Sequence, residues 1–125
     1  MIVLDASVVL ATLLNEPGGE VFANLTEEYR ISTMNLGEIA SRLSDYGYPD
    51  VSVHKVVDSF RLQTVPLSAA QAVQAGLWRK ETRRFGLSMG DRICLALGLE
   101  LGATVYTADR AWAELDLGVR VQVVR

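Results

Sequence analysis

The chain has 125 residues, 50% of them hydrophobic, a formal net charge of -3 and a pI near 5.1. This length accommodates one hydrophobic core, so we expect a single domain over residues 1–125. The acidic balance excludes a protein that holds nucleic acid by bulk positive charge, and any nucleic-acid partner must therefore be held at a local site.

The N-terminal residues and the cysteine content predict a soluble, cytoplasmic protein without a membrane anchor. The first five residues lack a basic flank and end in a charged Asp5, unlike a signal peptide. The apolar run at residues 8–14 is far shorter than a bilayer requires. Cys94 is the only cysteine, which predicts a buried, inert thiol in a reducing compartment. Because His54 is the only histidine, the usual zinc sites are excluded.

Strand and helix patterns alternate along the chain. Short apolar runs predict strands at residues 2–4, 29–33, 62–65, 104–106 and 119–123. Helical spacing of apolar residues predicts helices at residues 6–14, 21–25, 35–43, 53–60, 68–84, 88–101 and 110–117. The predicted helix caps are Asn35, Ser68, Ser88 and Asp109. This order implies an α/β fold with a central, mostly parallel five-stranded sheet and right-handed crossovers.

Four acids stand where predicted strands meet helices: Asp5, Glu38, Asp91 and Asp109. A helix that precedes a parallel strand runs antiparallel to it, so these junctions are expected at one edge of the sheet, where ligands bind in open α/β folds. Each acid alone is explained as a helix cap or a first-turn residue. Four such charges close together, however, would raise one another's pKa and destabilise the fold unless they are compensated.

Two kinds of compensation are open. Arg92 and Arg110 each adjoin an acid and could neutralise part of the charge. A divalent cation is the other solution, and carboxylate ligands favour Mg²⁺ or Mn²⁺. Such a site activates water and stabilises the charge that develops on a phosphate during in-line displacement. The basic cluster of Arg79, Lys80, Arg83 and Arg84 is either a solvated helix face or a guide for a phosphate backbone.

The order of these motifs resembles the PIN-domain family, and within it the VapC-like toxins of prokaryotic toxin–antitoxin pairs. The motifs are an apolar strand ending in Asp5-Ala6-Ser7, then Asn35-x-x-Glu38, Leu87-Ser88-x-x-Asp91-Arg92 and Thr107-Ala108-Asp109-Arg110. The resemblance implies a three-layer α/β/α sandwich, a Mg²⁺- or Mn²⁺-dependent endoribonuclease activity on RNA, a homodimer, and a cognate antitoxin that blocks the site. Gly90 departs from the family, in which Ala is common at this position.

The resemblance also implies a role for individual residues. The acids that match the catalytic and metal-binding quartet are Asp5, Glu38, Asp91 and Asp109, and the matching supporting polar residues are Ser7, Asn35 and Thr107. In the mechanism that the resemblance implies, Asp5, Asp91 and Glu38 hold one cation. Asp109 then holds a second cation or orients the attacking water.

Two other interpretations stay open. A haloacid-dehalogenase-like phosphatase also begins with an apolar strand ending in Asp, but Ser7 stands where that chemistry needs a second Asp. A non-catalytic binding module would instead use the acids to receive basic residues of a partner chain. Metal-dependent cutting of RNA by the purified protein, freed of its partner, distinguishes the nuclease from the binding module. Turnover of a small phosphate ester with a phospho-aspartate at Asp5 would indicate the phosphatase.

Overall fold

The computed structural model describes all 125 residues and contains one five-stranded parallel sheet. The strands are β1 (Ile2–Leu4), β2 (Tyr29–Ser32), β3 (Thr64–Val65), β4 (Thr104–Thr107) and β5 (Val121–Val123). Their order across the sheet is β3-β2-β1-β4-β5, and each neighbouring pair is parallel. From β1 the chain therefore adds β2 and β3 on one side, and it then adds β4 and β5 on the other side of β1. In such sheets a crevice forms at the carboxyl ends of the two strands where the strand order reverses, here β1 and β4.

Seven α-helices and two 3-10 turns connect the strands. The helices are α1 (Ala6–Leu13), α2 (Gly19–Ala23), α3 (Thr33–Asp45), α4 (Asp50–Phe60), α5 (Ala69–Leu77), α6 (Arg79–Thr82) and α7 (Met89–Leu101). The 3-10 turns are Arg83–Phe85 and Arg110–Glu114. No helix has the length and apolar character needed to cross a membrane. The predicted α/β fold with a central parallel sheet is confirmed.

Two hydrophobic cores lie on opposite faces of the sheet. Successive side chains of a strand point to opposite faces, and β1 supplies both cores in this way. Ile2 and Leu4 pack with α1 and α3, whereas Val3 packs with α7 and the buried Trp112. The result is the predicted three-layer α/β/α arrangement. Cys94 is fully buried in the second core, as expected for an inert thiol.

The predicted helix over residues 68–84 is wrong, because it breaks at Trp78. There α5 ends with a backbone ψ of 2°, and the Trp78 ring is buried in the core beneath α7. The Trp78 carbonyl accepts a hydrogen bond from Thr82 Oγ1 at 2.8 Å. Burial of a large aromatic ring thus overrides a continuous helical pattern. The basic cluster lies on α6 and the following 3-10 turn, beyond the break.

The predicted cap of α3 is also wrong. The helix begins at Thr33 with Ser32 as its cap, and Ser32 Oγ accepts a hydrogen bond from the Met34 N–H at 3.1 Å. Asn35 lies inside the first turn and is fully buried. Its side chain is therefore available for contacts with other parts of the chain.

Candidate active site

A cavity of about 280 Å³ lies at the carboxyl edge of the sheet, where β1 and β4 are neighbours. All four acids singled out from the sequence line it. The lining residues are Asp5, Ala6, Ser7, Leu10, Glu16, Glu38, Arg42, Asp91, Asp109 and Arg125. Three clefts are larger. Those of about 630 and 580 Å³ contain none of the four acids, and one of about 410 Å³ adjoins the acidic cavity, with Glu38 and Arg42 in common.

Asp5 is the most deeply placed of these acids, with only 4% of its surface exposed. It follows the last residue of β1, and its Oδ2 accepts hydrogen bonds from Ser7 Oγ at 2.6 Å and Thr107 Oγ1 at 3.1 Å. The pKa of Asp5 is raised from 3.8 to about 7, chiefly by burial. The negative charges of Asp91 and Glu38 raise this pKa further, whereas the hydrogen bonds from Ser7 and Thr107 lower it. Near pH 7 the carboxyl group is therefore protonated about half of the time unless something else supplies positive charge.

Glu38 reaches the cavity from the second turn of α3 and is held by Asn35. Asn35 Nδ2 donates to Glu38 Oε1 at 2.6 Å and to the Gly90 carbonyl at 3.2 Å, so it links α3 to the first turn of α7. The pKa of Glu38 is raised, first by burial and then by the charge of Asp91, against the lowering effect of the Asn35 hydrogen bond.

Asp91 lies in the first turn of α7, where it forms the predicted reciprocal cap with Ser88. Asp91 Oδ2 accepts from the Ser88 N–H at 2.9 Å, and Ser88 Oγ accepts from the Asp91 N–H at 3.2 Å. Burial is the main cause of a raised pKa for Asp91. The Ser88 hydrogen bonds lower this pKa, while the charge of Asp109 raises it.

Asp109 stands at the exposed rim and caps the 3-10 turn that follows β4. Its Oδ1 accepts from the Ala111 N–H at 3.0 Å, and its own N–H donates to Thr107 Oγ1 at 3.1 Å. Ser7 Oγ accepts from the Ala108 N–H at 2.9 Å. Ser7 and Thr107 therefore fix Asp5 and also fix the backbone that leads into Asp109.

The four carboxylates share one feature. In each of them, one oxygen is held by hydrogen bonds within the chain: Oδ2 of Asp5, Oε1 of Glu38, Oδ2 of Asp91 and Oδ1 of Asp109. The other oxygen of each group accepts no hydrogen bond from the protein. Four oriented acids thus present four oxygens that are free for a ligand.

No cationic side chain forms an ion pair with any of these acids. The three ion pairs of the structure join Met1 to Glu27, Arg30 to Glu28 and Arg125 to Glu16. Arg92 and Arg110 form no ion pair with the acids, but the positive charge of Arg92 lowers the pKa of Asp91, so the expectation of partial neutralisation is confirmed for Arg92. The Arg92 guanidinium donates to the carbonyls of Ala75 and Ser88, and Arg110 Nε donates to the Arg125 carbonyl.

The family follows from a comparison of the whole chain. A model of the PIN domain matches residues 2–117. The chain belongs to the PIN-domain family. It has no match among curated protein sequences.

Solved structures similar to this PIN domain include toxin–antitoxin proteins. DNA-bound VapBC of Salmonella typhimurium is 21% identical, with a TM-score of 0.74 and 100% of both chains covered. The sarcin-ricin loop cleaving toxin VapC20 of Mycobacterium tuberculosis is 18% identical, with a TM-score of 0.74 over 96% of this chain and 99% of that chain. FitAcB from Neisseria gonorrhoeae is 18% identical, with a TM-score of 0.69 over 97% and 96%. At these identities the likeness establishes a shared fold.

The residues of the cavity fit a hard divalent cation in ligand type and in charge. All the candidate donors are carboxylate oxygens, which Mg²⁺ and Mn²⁺ prefer, and none of them is in an ion pair with a cationic side chain. The fit is incomplete in one respect, since no three acids are gathered closely enough to hold an ion as they stand. The acids line one cavity and three of them have a raised pKa, so the donor set fits a cation. Side chains would have to move closer together to coordinate it.

Three charged residues at the cavity were not singled out from the sequence. Glu16 lies in the turn after α1, and Arg42 lies one helical turn beyond Glu38 on α3. Arg125 holds the Glu16 turn in place by donating from Nη1 to the Pro17 carbonyl at 3.1 Å. The spacing of Glu38 and Arg42 was a usable signal for Arg42, because residues four apart share a helix face. The contact between Glu16 and Arg125 spans most of the chain and has no local signal.

Proposed function

We propose that this PIN domain is a Mg²⁺- or Mn²⁺-dependent endoribonuclease and the toxin of a VapBC-type toxin–antitoxin pair. The observation that carries the proposal is the set of four carboxylates around one cavity, each with one anchored and one free oxygen and none in an ion pair. Such an arrangement raises the pKa of the acids and is costly to the fold without a ligand of positive charge.

The proposed roles follow from depth and anchoring. Asp5, Asp91 and Glu38, which have raised pKa values, would hold the cation, Asp5 and Asp91 through their free oxygens and Glu38 after its side chain moves away from Asn35. A bound divalent cation supplies Lewis-acid stabilisation of the charge that develops on a phosphate and lowers the pKa of water. Asp109 is exposed at the rim and keeps Oδ2 free, which suits it to orient the attacking water or to hold a second cation.

RNA would approach the cavity with help from the basic cluster. Arg79, Lys80, Arg83 and Arg84 are all exposed, and none forms an ion pair. The Arg84 guanidinium lies over the Phe85 ring at 4.6 Å. Cationic side chains of this kind bind a phosphate backbone, and an aromatic ring with a stacked guanidinium suits an unpaired base. The cluster is joined to Asp91 by the short segment that contains Gly86 and Leu87.

The proposed protein partner is a cognate antitoxin that closes the cavity. Several relatives in fold are complexes of the VapBC type. A basic side chain of a partner is chemically suited to the free carboxylate oxygens, which a cation would otherwise occupy. We also propose a homodimer, as the resemblance implies, and a single domain over residues 1–125, as the length predicts.

The test is cleavage of RNA by purified protein that has been freed of any partner. Wild-type protein should cut RNA with Mn²⁺ or Mg²⁺ and lose this activity in EDTA, and Asp5→Asn should remove it. Asp58→Asn is the matched control, because Asp58 is exposed on α4 and does not line the cavity. Equal cutting by Asp5→Asn and wild type would refute the proposal. Cation binding without any cutting would favour the non-catalytic binding module.

A further inference from the structure

Gly90 is a helical glycine whose missing side chain leaves room for a carboxylate. It is the second residue of α7 and does not adopt a positive φ, so its backbone conformation does not require glycine. A Cβ built at Gly90 would lie 2.7 Å from Cδ and 3.0 Å from Oε2 of Glu38, and closer still to Oε1. The helical Gly76 and Gly37 differ, because a Cβ at either position meets nothing within 4 Å.

The same carboxylate is tied to this place by a buried amide. Asn35 Nδ2 donates both to Glu38 Oε1 at 2.6 Å and to the Gly90 carbonyl at 3.2 Å. Asn35 is completely buried, and its bond to the Gly90 carbonyl is buried as well, whereas its bond to Glu38 is part-buried. Glu38 thus rests against the backbone of α7, held by Asn35 and admitted by the absence of a side chain at Gly90.

In this position Glu38 does not yet complete a set of cation ligands. It lines the acidic cavity, yet no three acids are close enough together to hold an ion. The atoms that a Cβ at Gly90 would meet are the terminal atoms of Glu38, so a side chain at position 90 would displace only the end of a flexible side chain.

We propose that Gly90 is a positioning residue that lets Glu38 rest against α7 in the cation-free protein, and that position 90 sets how readily this carboxylate joins a bound cation. This inference rests on the proposed cation site. In wild type, binding would require Glu38 to leave Asn35 and Gly90. With Ala at position 90 the resting place is filled, and the carboxylate is displaced toward the cavity before any cation binds.

The experiment compares Gly90→Ala with Gly76→Ala, a matched change at an open helical position. In cation-free protein, the Asn35 side-chain amide signals in NMR spectra should shift in Gly90→Ala and stay in place in Gly76→Ala. By calorimetry, Mn²⁺ should bind Gly90→Ala with a dissociation constant about tenfold lower than that of wild type, because the charge-assisted hydrogen bond to Asn35 is no longer lost on binding. Gly76→Ala should bind Mn²⁺ like wild type.

A Glu38→Gln background shows whether the effect passes through Glu38. There, adding Gly90→Ala should leave the Mn²⁺ affinity unchanged. Unshifted Asn35 signals, or Mn²⁺ affinity in Gly90→Ala equal to or weaker than in wild type, would overturn the inference. Failure of the proposed function looks different: RNA would stay uncut by a protein in which Gly90→Ala still strengthens Mn²⁺ binding through Glu38.

Discussion

Replacing Asp5 by Asn is expected to remove much of the pH dependence of stability in the cation-free protein. The pKa of Asp5 is raised from 3.8 to about 7, chiefly by burial. Between these two values the folded state binds a proton that the unfolded state has released. The free energy of unfolding therefore falls as the pH rises through this window.

The size of the effect follows from the pKa change. Each unit corresponds to about 1.4 kcal/mol, so ionisation of Asp5 costs the folded state roughly 4 kcal/mol once the pH is well above 7. Part of this cost is already present at pH 5, and the Asp5 contribution between pH 5 and pH 8 is a loss of roughly 3 kcal/mol. Asn keeps an oxygen that accepts from Ser7 and Thr107 but carries no charge. Asp5→Asn should therefore be the more stable protein at pH 8.

The assay is urea unfolding in EDTA at pH 5 and pH 8. Wild type should lose more stability between these pH values than Asp5→Asn does, and Asp58→Asn should behave like wild type. Glu38 and Asp91 also have raised pKa values, so part of the pH dependence should persist in Asp5→Asn. The reasoning fails if Asp5→Asn keeps the full wild-type pH dependence or is the less stable protein at pH 8.

Three further predictions concern the same cavity. Mn²⁺ at about one hundred times its dissociation constant for wild type should raise the free energy of unfolding of wild type by about 2.7 kcal/mol, measured by urea unfolding. An equal gain in Asp91→Asn at the same Mn²⁺ concentration would contradict the assignment of Asp91 as a ligand. Ser7→Ala removes a hydrogen bond that lowers the pKa of Asp5, so the pH of half-maximal Mn²⁺ binding should rise, and a fall would count against the role of Ser7. Asn35→Ala should cost about 1–3 kcal/mol in the free energy of unfolding, because it removes a buried hydrogen bond to the Gly90 carbonyl and leaves Glu38 Oε1 without its donor, and a change near zero would show that the bridge does not stabilise the fold.

The junctions between strands and helices at the carboxyl ends of the strands were predictable, because their sequence signals are local. The apolar run of β1 ends at a carboxylate, and the reciprocal cap of Ser88 and Asp91 marks the start of α7 within four residues. Parallel topology then brings such junctions to the same edge without further information. The placement of the four acids around one cavity is therefore a consequence of pattern and topology together.

The errors arise where a distant contact decides the outcome. Trp78 breaks a continuous helical pattern because its ring is buried under α7, which no local pattern records. Arg92 follows Asp91 directly, but consecutive helix residues point in different directions, so the Arg92 guanidinium forms no ion pair with Asp91 and turns to the Ala75 carbonyl. The Asn35 contact with Gly90 joins residues 55 apart in sequence.

The structural and functional explanations of the acids turn out to be compatible. Asp91 and Asp109 are helix caps, and in each the cap uses only one carboxylate oxygen. The cap fixes the direction of the group, so the second oxygen is oriented at no additional cost in side-chain entropy. Replacement by Asn preserves an oxygen for the cap and removes the charge, whereas replacement by Ala loses both and costs about 1 kcal/mol of helix stability. Asn variants of these acids are therefore the substitutions that separate the role in the fold from the role in the cavity.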